Sequence, residues 1–167
     1  RVSEVEYALN KVGCSMLVTA ACFKSSDYIA MLREIWPAKT PALGLIVALG
    51  GEAHEGFLPW EALRVTPDPA ALAAAEAALD PNDAINIQFT SGTTGLPKGA
   101  TLTHRNILNN GYFAARILRL TPADRICVPV PLYHCFGMVL GNLAALTSGA
   151  GLIYPAESFD PARVLEA

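Results

Sequence analysis

The sequence predicts an α/β domain: a layered, largely parallel sheet with flanking helices, plus a β-hairpin that carries a Gly/Thr-rich loop. Three observations predict it. Apolar runs of strand length alternate with helical patterns along the chain, the order that builds parallel strands joined by crossovers. One such run, LGLIVAL at 43–49, is apolar on both faces, as a strand inside a parallel sheet is. Finally, the strand-like segments INIQF and GATLT bracket a loop within TSGTTGLPKG at 90–99, whose Pro97-Lys98-Gly99 end has turn chemistry.

The elements follow in order. CSMLVTA at 14–20 is a short apolar strand, and a helix runs from Ser26 to Ile35. Pro37 ends that helix because proline lacks the N–H a continuing helix needs. Residues 50–69 carry Gly, Pro and acidic residues and form an irregular connection to an Ala-rich helix at 69–79. That helix is a propensity effect and is assigned no function. INIQF at 85–89 alternates Ile85, Ile87 and Phe89 with Asn86 and Gln88, the period of a strand with one buried face. GATLT at 99–103 folds back on it and makes the loop a hairpin tip. Thr103 caps a helix over 104–118, with Ile107, Leu108, Tyr112, Ala115 and Leu118 near a single stripe. RICVPV at 125–130 is a strand that runs into Pro131 and PLYHCFG, a natural place for a site. A buried helix at 137–147, a strand at 149–155 and the start of a helix at 160–167 complete the pattern, without an internal repeat.

Composition excludes several classes. A chain of 167 residues can bury a real core. With 52% hydrophobic and 16% charged residues and a mean hydropathy of +0.34, it buries most of itself or buries a face against something else. The longest apolar stretch, 138–154, is broken by Gly, Asn, Thr and Ser and falls short of the roughly 20 residues that span a bilayer, so no transmembrane segment is predicted. The net charge of −3, with no Lys/Arg cluster longer than a pair, lacks the electrostatic footprint of a nucleic-acid binder. Cys14, Cys22, Cys127 and Cys135 form no C-x-x-C pair, which points away from a zinc ribbon or disulfide framework and towards reduced thiols in the cytoplasm. The chain opens on RVSEVEYALN, without a Met, and closes on FDPARVLEA in a helix-like pattern, so it is expected to be a piece of a longer protein.

Chemistry concentrates in the loop. Successive Gly residues let several backbone N–H groups point into one concavity, and Ser and Thr add hydroxyl donors. Such a concavity suits phosphate oxygens, and Lys98 adds a mobile charge that the chain as a whole does not supply. It is not a Walker loop: Pro97 precedes the Lys, Gly99 follows it, and no helix begins there.

The string T-S-G-T-T-G-x-P-K-G closely resembles the phosphate loop of the adenylate-forming superfamily, which contains acyl-CoA synthetases, firefly-type luciferases and peptide-synthetase adenylation domains. LTHRN at 102–106 resembles the segment after that loop, and PLYHCFG at 131–137 is similar to the stretch where a His or aromatic residue lies beside the carboxylate substrate. The resemblance covers 85–155 well and most suits a fatty or medium-chain acyl-CoA synthetase. It implies that the whole chain is part of an AMP-binding N-terminal domain, with 1–84 as an α/β lead-in and 85–167 bearing the phosphate loop and acyl-site segment.

What the resemblance implies is acid activation: a carboxylate and ATP give an acyl-adenylate and pyrophosphate, and the thiol of CoA then takes the acyl group. Thr90, Ser91, Gly92, Thr93, Thr94, Gly95 and Lys98 would hold the β- and γ-phosphates, with Thr90 also near Mg²⁺. His134 would sit where carboxylate and adenylate meet, with Phe136, Gly137 and Met138 near the acyl pocket, so that Lys98 and His134 are the implied catalytic residues. A Cys135–His134 nucleophile pair is disfavoured, since neighbours on an extended chain point to opposite sides. PLYHCFGM contains no Asp to bind a substrate amine, and Val130, Leu132, Phe136, Met138 and Val139 suit a fatty or aryl acid. The family's Y-G-x-T-E-like segment, ribose-binding Asp, hinge and small C-terminal domain with its Lys are absent from these residues. The chain alone is therefore expected to be catalytically incomplete, its implied partner being the remainder of the parent protein. Competing readings are an aryl-CoA or carrier-loading acid ligase, and a stand-alone, non-catalytic α/β module that binds phosphate.

Overall fold

The computed structural model describes residues 1–50, 52–90 and 97–167. The chain forms two compact units, Arg1–Ala77 and Ala78–Ala167.

The first unit opens with a helix that the apolar pattern did not announce, α1 (Val2–Val12), which buries Leu9 and ends at Gly13 in the left-handed region, φ 61°. Strand β1 (Met16–Ala20) follows, then a two-stranded antiparallel ribbon of β2 (Cys22–Phe23) and β3 (Ser26–Asp27). Helix α2 (Tyr28–Arg33) is shorter than the predicted 26–35 because Ser26 and Asp27 belong to the ribbon. Asp27 is its N-cap, the carboxylate accepting from the Ala30 N–H at 2.9 Å. Strand β4 (Leu45–Leu49) pairs parallel with β1 from Met16↔Leu45 to Ala20↔Leu49, and β5 (Leu58–Pro59) extends the sheet in the order β1-β4-β5. The central strand is the most buried, as its two-faced apolarity predicts: Ile46 and Val47 are wholly inaccessible. Leu9, Ile29, Leu32, Ile35, Leu43 and Phe57 close the core around it. A short 3₁₀ turn, Trp60–Leu63, leads to α3 (Pro69–Ala77), which buries none of its residues and is a helix by Ala propensity, as read.

In the second unit β6 (Ala84–Thr90) and β7 (Lys98–Thr103) form the expected antiparallel hairpin, paired from Thr90↔Lys98 to Ala84↔Thr103 with an irregularity between Ala84 and Asn86. Helix α4 (His104–Leu118) starts as predicted at a Thr103 cap. The cap is reciprocal: Thr103 Oγ1 accepts from the Asn106 N–H at 3.2 Å and Asn106 Oδ1 accepts from the Thr103 N–H at 3.0 Å. Strand β8 (Arg125–Cys127) stops short of the predicted 130, where Pro129 and Pro131 remove ladder donors. The predicted helix at 137–147 is a π-helical stretch, Phe136–Leu143, continuing into α5 (Ala144–Ser148). Strand β9 (Gly151–Ile153) pairs parallel with β8, and α6 (Pro161–Glu166) is capped by Asp160. The α/β class with parallel pairing and flanking helices stands.

Two burial expectations are corrected. On β6 the apolar positions Ile85 and Ile87 are 46% and 45% exposed, while the polar Asn86 and Gln88 are half-buried. Of the predicted apolar face only Phe89 is half-buried, and Asn86 and Gln88 of the polar face are covered as well. On α4 the buried line is Ile107, Gly111 and Ala115, whereas Leu108, Tyr112 and Leu118 of the predicted stripe are exposed. Small residues at 111 and 115 let the helix approach its neighbour closely, and that contact outweighs the larger apolar side chains.

Candidate functional site

The hairpin delivers its loop from a defined base. Thr90 and Lys98 are the last paired residues, and Thr90 Oγ1 donates to the Lys98 carbonyl at 3.4 Å. Ser91, Gly92, Thr93, Thr94 and Gly95 lie outside the described residues. Both flanking residues are exposed, and among the described residues Lys98 has no carboxylate partner, which leaves its ammonium available to an anion. Gly99 has a packing reason: a β carbon there would lie 2.8 Å from Ile87 Cγ2 across the pair of strands.

The residues after the hairpin fix its base. The Arg105 N–H donates to the Pro81 carbonyl at 2.9 Å and Arg105 Nε to Asn82 Oδ1 at 3.0 Å, tying the first turn of α4 to the segment that leads into β6. The Thr103–Asn106 cap completes this anchor, so LTHRN is accounted for by structure around the loop.

The second cluster is a turn at Pro131–Cys135, held by the His134 N–H donating to the Pro131 carbonyl at 3.2 Å. The Phe136 N–H donates to His134 Nδ1 at 3.1 Å. With Nδ1 occupied as an acceptor, the neutral ring carries its proton on Nε2 and presents that N–H outward from an exposed side chain. Cys135 Sγ lies 3.9 Å from the same Nδ1. The expectation that His134 and Cys135 point apart assumed extended backbone, whereas Cys135 is right-handed helical, φ −57° and ψ −24°, and turns its thiol back towards the ring. Because Nδ1 already accepts from Phe136, it is not a free base for that thiol.

Gly137 is buried where the π-helical stretch meets the strand end. A β carbon there would fall 2.6 Å from the Pro131 carbonyl oxygen and 3.1 Å from that of Val130. Its absence seats the helix against the turn. Phe136 is about half exposed, Met138 is half-buried, and Val139 faces the core.

The two clusters meet through a residue that sequence reasoning left unassigned. The Gln88 side-chain amide donates to the Tyr133 carbonyl, a contact between residues 45 apart in sequence. Gln88 lies two positions before Thr90 on the same face of β6, and Tyr133 immediately precedes His134. The hairpin that leads to the loop is thereby fastened to the turn that presents His134. A sequence signal existed in the run of polar side chains at 86, 88 and 90 on one strand face.

The family model described as "AMP-binding enzyme" matches residues 1–167. The chain belongs to the AMP-binding enzyme family. Among curated relatives, this AMP-binding chain is 41% identical over 173 residues to the acyl-CoA ligase sidI of Aspergillus fumigatus, covering 99% of this chain and 29% of that protein. It is 37% identical to the medium-chain acyl-CoA ligase ACSF2 of Danio rerio, described as mitochondrial, over 96% of this chain and 29% of that one. Among solved structures, apo MbtA of Mycobacterium smegmatis superposes with a TM-score of 0.78 at 29% identity, covering 96% of this chain and 28% of its own. The anthranilate CoA ligase AuaEII, solved with anthranoyl-AMP, superposes with a TM-score of 0.75 at 22% identity over 93% of this chain and 29% of that one, a likeness of fold. The chain spans under a third of the length of these relatives.

Proposed function

We propose that this chain supplies the phosphate-holding hairpin and the carboxylate-side turn of an ATP-dependent acid–thiol ligase. The observation that carries the reading is the Gln88–Tyr133 contact, which fastens the Thr90–Lys98 hairpin to the His134 turn within an AMP-binding family member. In the first step a carboxylate oxygen attacks the α-phosphorus of ATP and pyrophosphate leaves. Lys98, with the loop donors Ser91 to Gly95 and Thr90, holds the β- and γ-phosphates and stabilises the charge that develops on the leaving group. His134, donating from Nε2, orients the carboxylate and then the acyl-adenylate carbonyl. In the second step the sulfur of CoA attacks that carbonyl and AMP leaves.

Mg²⁺ fits this site as a companion of ATP. Among the described residues no group of three His, Cys, Asp or Glu side chains gathers to bind a metal, and Thr90 offers one exposed, hard hydroxyl oxygen. That donor set suits an ion held mainly by substrate phosphates, whose charge it would neutralise.

A fatty acid of medium chain length is the substrate we favour. Leu132 and Phe136 expose apolar surface beside His134, the turn carries no acid for a substrate amine, and relatives bear the medium-chain acyl-CoA ligase description. Among the described residues no helix is long and apolar enough to cross a membrane. The four cysteines are free, which supports a reducing compartment such as the cytoplasm.

The test is acid-dependent ATP–pyrophosphate exchange by the full-length protein across acids of increasing chain length. Exchange with medium-chain acids, and none from this chain alone, is expected; no exchange with any acid would overturn the reading.

A further inference from the structure

Gln88 is half-buried on β6, and its carboxamide N–H calls for an acceptor. It meets that demand at the Tyr133 carbonyl. This bond does more than satisfy the amide, because of what lies on either side of it. Two residues along the strand, about 7 Å at strand rise, is Thr90 at the mouth of the loop. One residue beyond the acceptor is His134, whose ring is itself held by the Phe136 N–H. The Pro131–Cys135 turn belongs to no strand, so its position against the hairpin depends on contacts of this kind.

We infer that Gln88 is a positioning residue that sets the separation between the Thr90–Lys98 end of the hairpin and His134, through its bond to the Tyr133 carbonyl. The inference rests on the proposed acid activation. It assigns Gln88 to the adenylation step alone, the one step in which the phosphates and the carboxylate must be held together. Attack by the thiol on an adenylate already formed needs the His134 side without the pyrophosphate grip.

The experiment uses the full-length protein, its Gln88→Met variant, which keeps length and volume and removes the donor, and Gln88→Glu, which turns an anionic acceptor on the carbonyl. Acid-dependent exchange and thioester formation from supplied acyl-adenylate are measured separately, alongside hydrogen exchange of backbone amides at 132–136. Gln88→Met is expected to lower the adenylation kcat about ten- to a hundredfold, as small misplacements of reacting groups do, with KM for ATP nearly unchanged. Gln88→Glu falls at least as far. Thioester formation stays near wild type, and the 132–136 amides exchange faster while those of α4 do not. Unaltered exchange at 132–136 in Gln88→Met would overturn the role. Equal losses in both half-reactions would also overturn it, in favour of general loosening. A wild-type protein with no acid-dependent exchange would reject the functional reading, and the amide exchange would still decide whether Gln88 holds the turn.

Discussion

Gly111 of α4 and Leu143 at the end of the π-helical stretch meet so closely that a β carbon on Gly111 would lie 2.6 Å from the β carbon of Leu143. The next neighbours are backbone, Leu143 C at 3.0 Å and Ala144 N at 3.3 Å, which no rotamer change can move aside. Gly111→Ala therefore sets two effects against each other. Alanine gains up to about 1 kcal/mol of helix propensity. Overpacking against backbone costs about 1–3 kcal/mol. We expect a net loss of up to about 2 kcal/mol, read as a lower urea midpoint at unchanged slope. A raised midpoint would show that the two helices part without strain.

The contrast between this contact and its sequence shows what was legible. Period and punctuation located the hairpin, its Thr103 cap and the buried strand at 43–49, because those depend on neighbours in the chain. Which face a partner covers depends on residues far away. Gly111 and Ala115 count as weakly apolar in a stripe, yet both are buried and Gly111 lies tight against Leu143. Asn86 and Gln88 looked like a solvent face, and Gln88 reaches a carbonyl 45 residues on. A π-helical segment has no signature in a period of 3.6, so Phe136–Leu143 read as an ordinary helix. The two motifs fall on the Thr90–Lys98 hairpin end and on the Pro131–Cys135 turn, both built by contacts between near neighbours in the chain.

Lys98 stands exposed beside Thr90, with no carboxylate partner among the described residues. Lys98→Met keeps the aliphatic stem and removes the charge. In the full-length enzyme it should reduce kcat/KM for ATP by about a hundredfold, the scale for losing one charge-stabilising donor, while binding of the acid changes little. Equal losses for ATP and acid would move Lys98 away from the phosphates.

Between α4 and β8, Asp124 Oδ2 accepts from both the Thr121 hydroxyl and the Thr121 N–H, each at 2.7 Å. The Thr121 hydroxyl, and after it the Thr121 amide, hold the Asp124 carboxyl below its ordinary value of 3.8. A depressed folded-state value means that the ionised form adds stability at neutral pH. That stability is complete above 3.8 and is lost as pH falls through the lower folded value. Asp124→Asn should therefore melt slightly below wild type at pH 7, the difference being small because the side chain is exposed. Melting curves recorded down to strongly acidic pH should converge; a gap that persists there would assign the difference to something other than ionisation.

His134 offers the sharpest test of the proposed role, because that role gives its two nitrogens different work. Nδ1 accepts from the Phe136 N–H and belongs to the turn, while Nε2–H is free to face a carboxylate. Asparagine places an oxygen near the Nδ1 position and nothing at Nε2, so His134→Asn keeps the turn and removes the donor. Glutamine reaches the Nε2 position with an N–H and leaves Phe136 unpaired, so His134→Gln does the reverse. In the full-length enzyme, His134→Asn should keep the wild-type melting temperature and lose about a hundredfold in adenylation kcat, the scale for one oriented donor. His134→Gln should retain more activity and melt lower, by about 0.5–1.5 kcal/mol for the lost backbone bond. The opposite ranking, with Asn active and Gln inactive, would show that Nδ1 and not Nε2 faces the substrate.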